Sequence, residues 1–383
     1  MKIAHPPKRA LILIFSSLFF LIFCLILFFT LSREGRTLFE AARFALRIYP
    51  VVKNQDVTFK NTTPPAKVFF PDGQNQTLGL IFTPPKKDKG GAVIVSGGVG
   101  MTRENFRFLF KFSEVLAQSG LTIFIPLPNT LLSDIVTQDG IKSYVNAFKF
   151  LEKEALIDPL KIGFMGFCAG GSFTILAAQD REIADRVAFV WAFAPYANLF
   201  DYYAQGFTQK AYLNGQLRDW TPEEITRRTL IKNYLVRLSS QKDREILSDF
   251  FLNSQMGKEP QLSKLSPQGK FAWELLATKD LEKSKTMLKL LPQNMQNDLQ
   301  KLSPASQVAN LKTQVYIIHD REDPFTPYEE SIRLKGALND KASLAQVTSF
   351  DHTILDKKFS LIQLIKELKL VLAQLYQIFY IFA

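Results

Sequence analysis

The sequence predicts an α/β protein, in which a mostly parallel sheet carries helices on both faces, with a helical insertion and an apolar N-terminal helix. Short buried runs rich in valine and isoleucine alternate with helical segments in two parts of the chain. Between these parts, residues 198–302 contain a single valine and many leucine, lysine, glutamine and glutamate residues, which favours helices. Near the N-terminus stand 22 successive uncharged residues.

Composition excludes several classes of protein. The 383 residues include 47 Lys and Arg and 36 Asp and Glu, a net charge of +11. The first 48 positions account for +5 of it, so the rest of the chain has no concentrated basic face for nucleic acid. Two cysteines and three histidines exclude a disulfide scaffold and a Cys/His zinc module. No metal or cofactor motif appears, and we expect neither a metal nor a cofactor.

The N-terminal region predicts a membrane anchor. Ala10–Leu31 is uncharged, and a helix of this length spans about 33 Å, enough for a bilayer core. No small-residue cleavage site follows, so we predict an uncleaved signal anchor, after a basic segment at 1–9, rather than a cleaved signal peptide. Residues 32–54 predict a juxtamembrane amphipathic helix, ending at Pro50. Basic residues flank both sides of the anchor, and we expect a single-pass protein with its main domain outside the cytoplasm.

Two core segments, 55–197 and 303–383, flank the insertion at 198–302. Without it the core has about 225 residues, an ordinary single domain. Thr221-Pro222-Glu223-Glu224 predicts a capping box that starts an insertion helix. The predicted core strands are Thr77–Thr83, Ala92–Ser96, Leu121–Pro126, Ile162–Met165, Val187–Phe193, Val315–Ile318 and Leu344–Phe350; the predicted core helices are Asn105–Ser119, Asp139–Ala155, Gly170–Ala178, Tyr328–Leu338 and one from Phe359.

One motif indicates chemistry. Gly166-Phe167-Cys168-Ala169-Gly170-Gly171 follows a predicted strand and opens a predicted helix. This is the G-x-S-x-G nucleophile elbow with cysteine in place of serine. The glycines permit a sharp turn that presents the Cys168 sulfur beside the backbone N–H groups of the helix N-terminus. The alternative is a buried structural cysteine in a tight turn.

A cysteine nucleophile needs a base, and the base needs an orienting carboxylate. The loop after the strand Val315–Ile318 contains three acidic residues and ends at Pro327. Asp323 fits the acid best, four residues before that proline, whereas Asp320 and Glu322 are less favoured alternatives that we interpret as solvated loop charges. The expected order along the chain is nucleophile, acid and then histidine.

His352 is the predicted general base. It lies 29 residues beyond Asp323, after the next predicted strand. His5 precedes the membrane segment, and we interpret His319, at the end of a strand, as structural. A surface histidine in a loop is the alternative for His352 when it is taken alone.

The oxyanion site should have two backbone donors. The N–H of Ala169, directly after the nucleophile, is one expected donor. The second should come from the glycine-rich loop after the strand Ala92–Ser96, where Gly98 is the first choice and Val99 the next. This loop carries neither a P-loop nor a dinucleotide-binding motif, so a nucleotide site is rejected.

These segments resemble the α/β-hydrolase superfamily, and specifically its dienelactone-hydrolase-like members, which use a G-x-C-x-G elbow. The resemblance is carried, in family order, by AVIVSGGVG, DPLKIGFMGFCAGGSF, SPASQVANLKTQVYIIHDREDPFTP and FDHTIL. It implies the α/β-hydrolase fold, with the insertion at 198–302 as a lid over the active site. Minimal dienelactone hydrolases are soluble and lack a large cap, so a lactone substrate is not carried over.

The predicted function is a membrane-anchored hydrolase of a small-molecule ester, lactone or thioester, with the triad Cys168, His352 and Asp323. The lipid bilayer is an expected partner, and nucleic acid is not. An acyltransferase resembling polyester synthases, an inactive binding protein and a peptidase remain alternatives. Aromatic residues beside the start of the insertion fit either an acyl pocket or packing under the lid: Trp191, Phe193, Tyr196, Phe200, Tyr202 and Tyr203.

Overall fold

A computed structural model describes residues 8–55, 57, 63–85, 89–213, 215–253, 262–348 and 360–383. Its main sheet has eight strands: β1 (Ala66–Asp72), β2 (Asn75–Phe82), β3 (Ala92–Ser96), β4 (Thr122–Pro126), β5 (Ile162–Phe167), β6 (Val190–Phe193), β9 (Val315–Asp320) and β10 (Ala342–Val347). A separate hairpin consists of β7 (Lys210–Leu213) and β8 (Gln216–Asp219).

The sheet order is β1-β2-β4-β3-β5-β6-β9-β10. Strand β2 pairs antiparallel with β1 and β4, and the other neighbours are parallel. This arrangement confirms the predicted α/β-hydrolase fold. Strand β1 is not among the predicted strands, because it is an edge strand in which only Phe70 is buried.

The helices of the main body and N-terminus are α1 (Lys8–Leu31), α2 (Arg33–Val52), α3 (Arg103–Ala117), α4 (Asn129–Leu132), α5 (Gln138–Leu151), α6 (Ala169–Ala178), α13 (Tyr328–Leu338) and α14 (Leu361–Ile381). Alternate residues of the buried strands point to opposite faces of the sheet. Ile94 and Phe164 face a core with α5, α6 and α13, whereas Val93 and Met165 face a core with α2, α3 and α14.

Among the residues described between β6 and β9, the chain forms the hairpin and six α-helices, α7 (Leu199–Thr208), α8 (Glu224–Leu235), α9 (Gln241–Phe251), α10 (Pro267–Ala277), α11 (Leu281–Lys289) and α12 (Gln293–Lys301). The predicted capping box at Thr221 is wrong. Helix α8 begins at Glu224, and its N-cap Glu223 makes no side-chain cap bond. The Glu223 N–H instead donates to Pro324 O at 3.0 Å, so a long-range contact determines where the helix starts.

Helix α2 continues to Val52, so the predicted end at Pro50 is also wrong. Proline lacks one N–H, and near a helix end this removes only one bond. The carbonyls of Tyr49 and Pro50 still accept from Lys53 N at 3.0 Å and Gln55 N at 2.9 Å.

The N-terminal helices bear on the predicted membrane anchor. In the part of the chain that the structure describes, no single helix has both the length and the apolarity needed to cross a bilayer. Ser17–Leu31 and Arg33–Val52 meet both requirements together, but they are bent by 87° at the break between them. The single-pass anchor at 10–31 therefore stays a prediction.

Candidate active site

Cys168 lies at the sharp turn between β5 and α6. Its backbone has φ 51° and ψ −128°, a region that residues other than glycine rarely adopt. Its N–H donates to Phe193 O on β6 at 2.8 Å, which connects the turn to the neighbouring strand. The turn places a half-buried Cys168 side chain at the carboxyl edge of the sheet, where ligands bind in open α/β folds.

Close backbone packing accounts for the glycines around this turn. A Cβ on Gly170 would lie 2.6 Å from both Gly98 N and Ser96 O, and one on Gly166 would lie 2.2 Å from Gly170 O. Gly98 has φ +84°, and a Cβ there would be 3.0 Å from Gly170 N. The loop that carries Gly98 therefore packs directly on the first turn of α6, which begins at Ala169. The structure thus brings the two predicted oxyanion donors to one place.

The loop from Asp320 to Pro327, here called the acid loop, carries the predicted acid. Asp323 is buried, and its Oδ1 accepts from Phe325 N at 2.7 Å and Thr326 N at 2.9 Å. Asp320 is also buried, at the end of β9, so its interpretation as a solvated loop charge is wrong; its Oδ1 accepts from Glu322 N at 2.7 Å. Both aspartates therefore shape the loop through local turns.

Thr326, which the sequence interpretation missed, joins the acid loop to the nucleophile. Its Oγ1 lies 3.6 Å from Cys168 Sγ, within hydrogen-bonding reach of sulfur. The residue is fully buried and is three residues from Asp323. Its place in the D-P-F-T-P sequence is the only local signal, and it marks a turn rather than a contact with sulfur.

Tyr202, from α7 of the insertion, also reaches this point. Its hydroxyl donates to Phe325 O at 2.6 Å. Burial and the neighbouring Cys168 raise the pKa of Tyr202 well above its usual value, so the phenol stays protonated and remains a donor.

The described histidine near the site is His319. Its Nε2 lies 2.9 Å from Thr326 O, a carbonyl that can only accept, so Nε2 carries the proton. In the neutral ring Nδ1 then accepts from Ser331 Oγ at 2.7 Å. His319 Nε2 is also 3.8 Å from Asp323 Oδ2. Both ring nitrogens are occupied by protein groups that hold the acid loop on α13.

The predicted base, His352, lies outside the described residues, as do the predicted strand end at Phe350 and helix start at Phe359. Cys168, Ala169 and Phe325 of the acid loop line one cleft, and Gly98 packs beside it on Gly170. The place of His352 stays a prediction.

The cleft above Cys168 encloses about 930 Å³ including its open mouth. Core residues such as Val99, Phe108 and Phe167 line one side, and Ile225 and Leu230 of α8 line the other. Most of its lining is apolar; its polar side chains are those of Asn105, Tyr196, Tyr202, Tyr203, Thr226, Thr229 and Asn233. Three of the aromatic residues named from the sequence, Tyr196, Tyr202 and Tyr203, thus line the cleft. Such a shape suits an apolar ligand with few polar groups.

The described residues contain no group of three or more His, Cys, Asp or Glu side chains placed to hold a metal ion.

No protein-family model and no curated protein matches the chain. Similar solved structures include the acylaminoacyl peptidase of Pyrococcus horikoshii, 17% identical over 75% of this chain with a TM-score of 0.44. A 2,6-dihydroxy-pseudo-oxynicotine hydrolase is 13% identical over 82% of this chain and 68% of its own, at a TM-score of 0.47. Est1E from Butyrivibrio proteoclasticus is 14% identical over 82% of this chain and 98% of its own, with a TM-score of 0.45.

The chain spans only 37% of the length of the Pyrococcus peptidase. At these identities and TM-scores, the similarities carry no assignment of site or substrate. Any such assignment depends on the geometry of Cys168 and its neighbours.

Proposed function

We propose that this chain is a membrane-anchored hydrolase that cleaves a carboxylic ester, lactone or thioester through a covalent acyl intermediate on Cys168. The observation that carries the proposal is the strained turn at Cys168, at the base of an apolar cleft and beside the acid loop. Backbone strain of this kind costs about 1–3 kcal/mol, and strained residues cluster at active sites.

In the proposed reaction, Cys168 Sγ attacks the carbonyl carbon of the substrate and its proton passes to His352. The bond from carbonyl carbon to the leaving oxygen or sulfur breaks, and the leaving group takes that proton. Water then gives a proton to His352 and its hydroxyl to the acyl carbon. The bond from that carbon to Cys168 Sγ breaks, the acid leaves, and His352 returns the proton to the sulfur. Asp323 orients His352, and the N–H groups of Ala169 and Gly98 stabilise the oxyanion.

Two features support these roles. Asp323 is three residues from Thr326, whose Oγ1 is 3.6 Å from the Cys168 sulfur, so the acid loop reaches the nucleophile. The loop of Gly98 packs on the N-terminus of α6, where backbone donors converge. The role of His352 is inferred from its order in the sequence alone.

The bilayer attachment is the second part of the proposal. Ala10–Leu31 is uncharged, and most of the described large apolar side chains of α1 are exposed, among them Phe19, Phe20 and Leu31. We propose that α1 anchors the protein in a membrane with the catalytic domain outside the cytoplasm. Protease accessibility of the domain in sealed, oriented vesicles tests on which side of the membrane the domain lies.

The catalytic proposal is tested with full-length protein in detergent micelles, short p-nitrophenyl esters and thioesters. We expect turnover and an acyl adduct by intact mass, both abolished by Cys168→Ala. The second cysteine gives a matched control, because Cys24→Ala should retain both. His352→Ala should abolish turnover, whereas His5→Ala should not.

Two results would redirect the proposal. An adduct on Cys168 that persists until an alcohol or amine is added would indicate an acyltransferase. Folded protein with neither turnover nor adduct would contradict the enzyme proposal and favour a binding protein.

A further inference from the structure

A second apolar cavity lies between α2 and α14, on the sheet face that these helices and α3 cover. It encloses about 1280 Å³ including its mouth. Phe112, Trp191, Phe193 and Ile318 line it from the core side. Among its described lining residues only Glu367 has an acidic or basic side chain, and its Oε1 accepts from Thr348 N at 3.0 Å. This α2–α14 groove therefore offers an apolar ligand almost no polar contact.

The groove opens to the surface through exposed apolar side chains. Leu46 is 78% exposed, Tyr49 47% and Leu368 43%, and all three also line the groove. Exposed apolar surface that continues into an apolar groove marks a site of interaction rather than ordinary protein surface.

One face of α2 connects this mouth to the predicted anchor. The face consists of residues at helical spacing, Gly35, Leu38, Phe39, Ala42, Leu46 and Tyr49. At Gly35 it contacts α1, since a Cβ there would lie 2.1 Å from Phe28 O. The axes of α1 and α2 are bent by 87° relative to each other, and α1 contacts α2 at Gly35, on this face. Where α1 crosses a bilayer along its normal, α2 lies along the membrane surface with this face towards the lipid.

Charge on α2 agrees with that placement. Arg36, Arg43 and Arg47 recur at helical spacing beside the apolar face. Arg43 pairs with Glu40 at 3.7 Å, which leaves the stripe with a net positive charge. Basic side chains beside an apolar helix face are typical of helices at the surface of anionic membranes.

We propose that the α2–α14 groove binds one hydrocarbon chain of a phospholipid from the bilayer that holds α1. The lipid chain enters through Leu46, Tyr49 and Leu368 and contacts Trp191, while its headgroup stays at the membrane surface along α2. The inference rests on the proposed membrane attachment but not on catalysis by Cys168.

The test uses full-length protein in phosphatidylglycerol vesicles whose acyl chains carry bromine, which quenches tryptophan on contact. Trp191 lines the groove, whereas Trp220 and Trp273 lie outside it. We expect bromolipid to quench the protein's emission, and Trp191→Phe to remove most of that quenching. Flotation of the same vesicles separately measures whether the protein is attached to the membrane.

Groove-filling variants give the decisive comparison. Ala45→Leu and Ala42→Leu add volume inside the groove, and Ala373→Leu adds the same volume on the exposed side of α14. We expect the first two to lose the Trp191-dependent quenching and the third to keep it, with flotation unchanged in all. Flotation without Trp191-dependent quenching would overturn the groove proposal alone. Failure to float would overturn the membrane attachment and the groove proposal together, while esterase activity in micelles would be unaffected.

Discussion

The elbow at Cys168 and the acid loop at 320–327 both reach the cleft, but they are held in place differently. At the elbow, backbone packs on backbone: Gly170 meets Gly98 N and Ser96 O with no room for a side chain. The acid loop is held by long-range donors from the insertion. Tyr202 Oη donates to Phe325 O, Trp220 Nε1 donates to Asp323 O at 3.1 Å, and Glu223 N donates to Pro324 O.

This difference predicts how each region responds to change. At the elbow the backbone atoms around Gly170 leave no space for a side chain, so a single added methyl group should lower the free energy of unfolding strongly. The acid loop is held by several separate hydrogen bonds, so the loss of one should weaken its position without unfolding the protein. These bonds also make the insertion a support of the acid loop rather than a separate cover.

The largest effect is expected from Gly170→Ala. Its Cβ would lie 2.6 Å from two backbone atoms, so we expect a loss of about 3 kcal/mol or more in the free energy of unfolding. Gly171→Ala is the matched control: its Cβ would lie 3.3 Å from Ala192 Cβ, and the helix propensity of alanine offsets the crowding by about 1 kcal/mol. Urea unfolding measures both variants. Equal destabilisation would contradict the view that backbone contact fixes the elbow.

The next effect is expected from Tyr202→Phe. It removes the hydrogen bond to Phe325 O and should lower the free energy of unfolding by about 1–2 kcal/mol. We also expect a lower kcat with p-nitrophenyl esters, since the acid loop becomes less well positioned.

Tyr203→Phe is the control for Tyr202→Phe. The Tyr203 hydroxyl is buried without a hydrogen-bond partner in the described part of the chain, so its removal should be neutral or stabilising. If Tyr203→Phe slowed turnover as much as Tyr202→Phe, the insertion would act through general packing and not through the bond to the loop.

The same contrast explains what the sequence could and could not predict. Strand β5 and the elbow follow from local signals, a buried apolar run and glycines at fixed spacing, and they appear where predicted. The start of α8 does not follow from a local signal, because the Glu223 N–H donates to Pro324 O, about a hundred residues away. No local pattern marks Tyr202 as a support of the acid loop, since its partner Phe325 lies 123 residues further along the chain.

A smaller effect, confined to catalysis, is expected from Thr326→Val. The substitution keeps the shape but removes the hydroxyl 3.6 Å from Cys168 Sγ. We expect kcat to fall roughly tenfold, equal to about 1.4 kcal/mol, with KM little changed, because the hydroxyl contacts the nucleophile rather than a substrate pocket. Thr326→Ser retains the hydroxyl and should stay near the wild-type kcat. A fall in kcat for Thr326→Ser as large as that for Thr326→Val would show that the packing of this side chain, and not its hydroxyl alone, supports turnover.

The smallest effect should come from a surface ion pair remote from both regions. Lys142 and Lys149 donate to Glu182 and lower its pKa to about 2. A folded-state pKa below the unfolded value of 4.5 means that this stabilisation is present above pH 4.5 and is lost as the pH falls towards 2. Because the pair is exposed, Glu182→Gln should cost less than about 1 kcal/mol at neutral pH, and less in high salt.

Thermal unfolding from pH 7 down to the acid limit of the fold measures this difference. The wild type and Glu182→Gln should converge as the pH falls, with kcat equal at pH 7. A difference in unfolding temperature that does not change with pH would contradict the role of the ion pairs of Glu182. A change in kcat would show that the two regions at the cleft depend on contacts well beyond the elbow and the insertion.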